Sequence, residues 1–361
     1  MTKTILVTST EEGTGKTAVS VALGLLARER GLDVGYMKPK GTRLRSRVGK
    51  TLDEDPMLAR ELLDLDAEMH ELEPVVYSPT FIEQAVRGQE SAEDLREQVS
   101  EHFDSLSAGR DLMIVEGGGS LTTGGIVDLT DADVAELLDA EVLVLAGYGH
   151  PGNVDDVLAA ARSLEDRLAG VLFNAVTDDA FDQLETDVTP FLEGDDVPVF
   201  GALPREQDLA GITVGDLADE LGADVLTDVP TDAYVERFSV GAMGSDAALR
   251  HFRRTRDAAV ITGGDRSDIQ TTALQAPGVE CLILTGGHRP SGAVVGKAEE
   301  KGVPILVVQT DTLTTIDRAE GVVSEGRTRD ATTVERMREL LADHADVDEI
   351  LAGASASGDD D

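Results

Sequence analysis

The stretch that most limits what this chain can become is Val7-Thr8-Ser9-Thr10-Glu11-Glu12-Gly13-Thr14-Gly15-Lys16-Thr17, an apolar run entering a small-residue loop and then a helix start. It reads as a phosphate cradle. Backbone N–H groups of such a loop, and the unpaired N–H groups at a helix N-terminus, converge on phosphate oxygens, while Lys16 supplies a positive charge and Thr17 a hydroxyl for Mg²⁺. Gly13, Thr14 and Gly15 form the cradle itself, and Gly15 permits close backbone approach. The spacing is a variant, because the first glycine of the common G-x-x-x-x-G-K-[ST] pattern falls at Thr10. Its flanks fit. Thr4-Ile5-Leu6-Val7 reads as a buried strand, and Val19, Ala22, Leu23, Leu26 and Ala27 recur at helical spacing until Gly31.

A strand that feeds a helix this way predicts an α/β fold, and the rest of the chain alternates accordingly. Asp33 to Met37, Leu112 to Val115, Val142 to Ala146, Val171 to Phe173 and Val197 to Phe200 read as strands, with helices at Asp133 to Leu138 and Asn153 to Leu168. Strands that are apolar throughout imply a mostly parallel sheet covered by helices on both faces. Ligands bind at the C-terminal edge of such a sheet. Lys38 and Lys40 follow one strand there, and Glu116 ends another before Gly117-Gly118-Gly119, suiting it to a divalent cation near phosphate. Lys40 reads equally well as a phosphate contact or a solvated charge. Thr42 to Lys50, with Arg43, Arg45 and Arg47, reads as a mobile basic loop. Asp53, Glu54 and Asp55 open a helix whose dipole favours them, and a carboxylate there is also placed to hold Mg²⁺. Asn174, at a strand end, suits an adenine edge or a turn.

Length and charge narrow the function classes. A chain of 361 residues predicts two domains. Seventy acidic against 31 basic residues give a net charge of −39, dispersed along the chain, and no lysine lies between Lys50 and Lys297. Hydrated carboxylates of this density resemble a halophilic surface, soluble in concentrated salt. They disfavour nucleic acid as a partner, since a polyanion is bound by neutralising its phosphates. The single Cys281, in an apolar run, excludes an internal disulfide framework and reads as buried filler. No apolar run approaches the ~20 residues of a membrane span, and with no signal peptide the expectation is a cytoplasmic protein without membrane partners.

The ordered set Gly15-Lys16-Thr17, Lys38-Pro39, Asp55, Glu116-Gly117-Gly118-Gly119 and Asn174 resembles the dethiobiotin synthetase family, P-loop ATPases related to cobyrinic acid amidases. It is more similar still to the dethiobiotin-synthetase-like N-terminal region of long bacterial phosphotransacetylases (phosphate acetyltransferases), here of haloarchaeal type. The resemblance implies an ATP-binding domain over residues 1–206. Lys16 would hold the β and γ phosphates, Thr17, Asp55 and Glu116 would bind Mg²⁺, Lys38 would steady the transferred phosphoryl, and Asn174 would contact the base. Lys16 and Lys38 are thus the catalytic candidates, with ATP and Mg²⁺ as cofactors. The family's loop opens Gly-Thr-Asp-Thr where this one reads Ser9-Thr10-Glu11-Glu12, placing two acids near the triphosphate.

Further on, Ile261-Thr262-Gly263-Gly264-Asp265-Arg266 is echoed by Leu284-Thr285-Gly286-Gly287-His288-Arg289, 23 residues apart from Thr262 to Thr285. Residues 207–345 resemble the DRTGG domain through Asp265, Arg266, Thr285, Gly286 and Gly287. With Arg289 these make a candidate site for a small anionic metabolite, weighed evenly against plain tight turns. A helix over 333–344 would close this regulatory domain, and 346–361 reads as an acidic, disordered tail. The phosphotransacetylases' acyltransferase domain would need several hundred further residues, so acetyl transfer is not expected of this sequence. The resemblance therefore implies an ATP-binding regulatory or accessory protein linked to acetyl-CoA metabolism, forming a homo-oligomer. The alternative is an ATP-dependent synthetase acting on a small carboxylate or amine, and weak ATPase activity fits either.

Overall fold

The computed structural model describes residues 2–42, 44–47, 50–206, 209, 211–326 and 331–354. They form two compact units. The first is built on six strands: β1 (Lys3–Ser9), β2 (Val34–Met37), β3 (Leu112–Glu116), β4 (Glu141–Gly147), β5 (Leu168–Val176) and β6 (Val199–Pro204). Their order is β6-β5-β4-β1-β3-β2, and every pairing is parallel. Parallel strands buried on both faces need continuous apolar runs, which Ile5-Leu6-Val7, Leu112-Met113-Ile114-Val115 and Val142-Leu143-Val144-Leu145 supply. The expected α/β architecture is therefore the observed one.

Helix α1 (Lys16–Glu29) is buried almost all round. Ala18, Val21 and Ala22 are as inaccessible as Val19, Leu23 and Leu26. A helix this apolar needs cover on both sides. The sheet gives one, and a helix from far along the chain, α3 (Ala331–His344), gives the other through Val334, Met337, Leu340 and Leu341. Arg338 reaches Glu29 at 3.1 Å, and Arg30 reaches Asp348 at 2.7 Å. This differs from the expected partition: the helix over 333–344 packs on the first unit, not on the DRTGG-like region. Residues from 346 onward are not simply a tail, because Val347–Ile350 form a short helix α4 that buries Val347, Ile350 and Leu351. Asp346 N–H donates to the Phe200 carbonyl at 2.7 Å, tying this segment to β6. Residues 355–361 of the expected tail lie outside the described residues.

The segment read as a basic loop is a hairpin in part, Leu44–Arg47 pairing antiparallel with Lys50–Asp53. Arg43 lies outside the described residues, as do the side chains of Arg45 and Arg47. Asp53 then caps α2 (Glu54–Leu62), its side chain accepting from Asp55 N–H at 3.0 Å.

The second unit, from Glu206 through the helix at Thr312–Gly326, holds a five-stranded sheet. Its strands are β7 (Asp224–Val225), β8 (Arg237–Val240), β9 (Ala258–Gly263), β10 (Val279–Thr285) and β11 (Ile305–Val307), in the order β7-β11-β10-β9-β8. Only β7 runs antiparallel to its neighbour. Ile261, Cys281 and Ile283 face one apolar cluster, and Val260, Leu282 and Leu284 face another. Cys281 is fully buried, and burial pushes its thiol pKa up, so it is core filler as expected. Among the described residues no helix is long and apolar enough to cross a membrane.

Candidate functional site

The C-terminal ends of β1, β2 and β3 are adjacent in the sheet, and the side chains they deliver meet there. Gly15 precedes α1 at φ 88°, a left-handed conformation suited to glycine. A Cβ on it would lie 2.8 Å from Asn174 Nδ2. Lys16 is 9% exposed, and its ammonium donates to Ser9 Oγ at 2.7 Å and to the Gly119 carbonyl at 2.5 Å. Burial lowers its pKa, an effect that Asp131 and Glu116 oppose.

Thr17 donates to Glu116 Oε1 at 2.7 Å, and Tyr36 donates to Glu116 Oε2 at 2.7 Å. Lys38 lies between three carboxylates. Its Nζ is 2.5 Å from Asp55 Oδ2, 2.8 Å from Asp53 Oδ2 and 3.6 Å from Glu116 Oε1, with every partner buried. Burial alone would lower the Lys38 pKa, but Asp55, Glu116 and Asp53 outweigh it and hold the ammonium charged. Burial raises the pKa values of Asp53 and Glu116, opposed by Lys38. Tyr36 is pushed well above the usual phenol range by burial and by the Glu116 charge, so it remains a proton donor.

The structure thus brings Lys16, Thr17, Lys38, Asp55 and Glu116 into one buried group. Asn174 stands at its edge with both amide groups committed to the chain: Nδ2 donates to the Thr14 carbonyl at 2.7 Å, and Oδ1 accepts from Ala175 N–H at 2.9 Å. Its resting role is therefore to brace the phosphate loop. Lys40 is not a solvated charge. It is buried and paired with Asp131 at 2.5 Å, while Thr8 donates to the other oxygen of Asp131. This pair sits behind the glycine triplet, where a Cβ on Gly117 would fall 2.2 Å from Asp131 Oδ2 and one on Gly118 2.4 Å from the Lys40 carbonyl.

Sequence reasoning passed over Tyr36, Glu73 and Asp131. Tyr36 pairs with Ile114, two residues before Glu116, so a hydroxyl in an otherwise apolar strand was its only signal. Glu73 is 5% exposed, sits against Gly41, and has one carboxyl oxygen without a hydrogen-bond partner. Burial, reinforced by Asp53, raises its pKa to about 7.

A divalent cation fits this donor set. Hard oxygens from Thr17, Asp55 and Glu116 are gathered within reach of one ammonium, and the three carboxylates around Lys38 leave an excess of negative charge in a buried place. Among the described residues no three His, Cys, Asp or Glu side chains form a metal-holding group by themselves. Phosphate oxygens would complete such a shell, as is usual for Mg²⁺.

In the second unit the two Thr-Gly-Gly turns are neighbours, Gly263 pairing with Thr285 and Gly264 N–H donating to the Thr285 carbonyl at 3.1 Å. Gly286 and Gly287 have φ of 80° and 70°, but their N–H groups donate to the Thr310 and Val308 carbonyls. The turn's donors are therefore spent on the adjacent chain. Thr285 Oγ1 lies 2.8 Å from Thr312 Oγ1. Arg266 bonds Asp268 and the Met243 carbonyl, Asp265 is exposed, and Arg289 is drawn towards Asp224 at 3.9 Å.

A family model described as an AAA domain matches residues 3–213. The chain belongs to this AAA-domain family. A second model, the DRTGG domain, matches residues 216–322, so the AAA domain and the DRTGG domain follow one another along the chain. Phosphate acetyltransferase of Haemophilus influenzae is 24% identical over 383 residues, covering 96% of this chain and 52% of the relative. The chain spans about half the length of the phosphate acetyltransferases it matches. ATP-dependent dethiobiotin synthetase BioD of Methanococcus vannielii is 30% identical over 178 residues, 48% of this chain and 80% of that one. Among solved structures, the CBS and DRTGG domains of a Clostridium perfringens pyrophosphatase, complexed with diadenosine tetraphosphate, cover 49% of this chain and 71% of theirs at 18% identity and a TM-score of 0.28. The AAA domain here is a P-loop domain of the nucleotide-binding class, distantly similar to phosphotransacetylases and dethiobiotin synthetases.

Proposed function

We propose that the first unit binds ATP together with Mg²⁺ and that the chain acts as a regulatory or accessory protein, its DRTGG domain responding to a small anionic metabolite. The observation that carries this reading is the buried group in which Thr17 bonds Glu116 while Lys38 is shared among Asp53, Asp55 and Glu116, all beside Lys16. Lys16 would exchange Ser9 and Gly119 for β and γ phosphate oxygens, a charge-assisted replacement for two neutral acceptors. Thr17, Asp55 and Glu116 would hold Mg²⁺, which supplies charge neutralisation at the phosphates. Asp53 keeps Lys38 charged and aimed while Asp55 and Glu116 serve the cation.

A link to acetyl-CoA metabolism is proposed from the phosphate acetyltransferase relatives. The dispersed charge favours a cytoplasm rich in salt. The second reading, an ATP-dependent synthetase that phosphorylates a small carboxylate, is favoured by one observation: Lys38 is held charged next to the candidate phosphate site, where a transferred phosphoryl needs a cation. Incubating the protein with Mg-ATP and candidate acids or amines separates the two. ADP release dependent on one added substrate establishes the synthetase, and binding without turnover establishes the regulator.

A further inference from the structure

We infer that Tyr36 is a positioning and specificity residue: by holding Glu116 Oε2 it leaves a single oxygen of that carboxylate for a divalent cation, and so selects Mg²⁺ over Ca²⁺. The inference deepens the nucleotide and metal reading above and rests on it.

Tyr36 is fully buried on β2, between Val34 and Met37, in a strand without an exposed position. A phenol hydroxyl removed from water costs free energy unless it is bonded, and the bond it makes is to Glu116 Oε2 at 2.7 Å. The parallel register fixes this meeting, because Tyr36 lies beside Ile114 and reaches the carboxylate two residues further along β3. Thr17 meets the other oxygen at 2.7 Å, and Lys38 approaches that same Oε1 at 3.6 Å. The two oxygens of one carboxylate therefore differ. Oε1 accepts from Thr17 with the Lys38 ammonium nearby, whereas Oε2 is occupied by the neutral Tyr36 hydroxyl.

Coordination chemistry gives this asymmetry a use. Mg²⁺ requires near-octahedral geometry and takes carboxylates through one oxygen, whereas Ca²⁺ accepts more oxygens and readily takes both from one carboxylate. A donor on Oε2 opposes the two-oxygen mode and leaves the one-oxygen mode intact. Hydrogen-bonding partners behind a metal ligand commonly change metal affinity by about 10–100-fold when removed. Phenylalanine would fill the same space without the proton.

The test uses the full chain in concentrated salt with ATP as probe. Its affinity is measured with Mg²⁺, with Ca²⁺ and with chelator, for the wild type and for Tyr36→Phe, each shown to be folded by circular dichroism. The expected result is wild-type binding about 10-fold tighter with Mg²⁺ than with Ca²⁺. In Tyr36→Phe the Mg²⁺ advantage narrows by a similar factor while affinity in chelator is unchanged. Equal loss with and without metal, or no change in the ratio, would overturn the inference and assign Tyr36 to packing alone. Should Tyr36→Phe fail to fold, the wild type still decides: equal support by Ca²⁺ and Mg²⁺ contradicts the proposal. Absence of any ATP binding by the wild type would instead remove the underlying nucleotide reading.

Discussion

Lys40 and Asp131 form a buried ion pair, Nζ to Oδ1 at 2.5 Å, directly behind the glycine triplet that follows Glu116. Breaking a buried pair from one side leaves an uncompensated charge, which costs about 3–5 kcal/mol. Lys40→Met is therefore expected to destabilise the first unit by that amount, and Lys40→Met with Asp131→Asn to recover most of it. Urea melts of the three proteins in the same salt check this. Equal stability of Lys40→Met and wild type would show that the pair does not support the turn.

Glu73 makes stability depend on pH. Its pKa is about 7 in the folded chain against an ordinary value of 4.5, so the native state holds a proton that the unfolded state has released between these values. Its contribution is fully present below about pH 4.5 and is lost as pH rises through about 7. Glu73→Gln removes the ionisation and should stabilise the protein by about 1–3 kcal/mol at pH 8, with little effect at pH 5. Denaturant midpoints at the two pH values measure the difference. A pH-independent effect of the substitution would contradict the assignment.

The cover over α1 makes a separate prediction. Leu341 of α3 is fully buried, and Leu341→Ala should cost about 2–5 kcal/mol while speeding amide hydrogen exchange in α1. Exchange accelerated only in the second unit would instead favour the domain partition expected from the sequence.

How much of this was legible follows from the length scale of each interaction. The phosphate loop, Lys38 and Glu116 are visible because glycine, lysine and acid at strand ends are local patterns. The docking of α3 was hidden because its partner lies some three hundred residues earlier, as the Glu29–Arg338 pair shows. Yet a trace existed: Ala18 and Val21 lie off the apolar face read in α1, and a helix apolar on every side asks for a second cover. The pairing of Lys40 was hidden because its buried acid, Asp131, comes from another element. The second Thr-Gly-Gly repeat is visible in the sequence, whereas the commitment of its N–H groups to the Val308 and Thr310 carbonyls is not.

Net charge supplies a further expectation. With −39 spread over the surface, self-repulsion weakens as the Debye length falls to about 3 Å in molar salt. The thermal midpoint should rise steadily with potassium chloride up to molar concentration. A flat or falling dependence would remove the halophilic reading.

The proposed nucleotide site requires a triphosphate to engage Lys16 at the start of α1. Isothermal calorimetry of Mg-ATP in molar potassium chloride tests it directly, comparing wild type with Lys16→Ala. Saturable wild-type binding is expected, weakened about 10–100-fold in Lys16→Ala by the loss of one charge-assisted contact. Wild-type protein that takes up no nucleotide, or a Lys16→Ala variant that binds equally well, would contradict it.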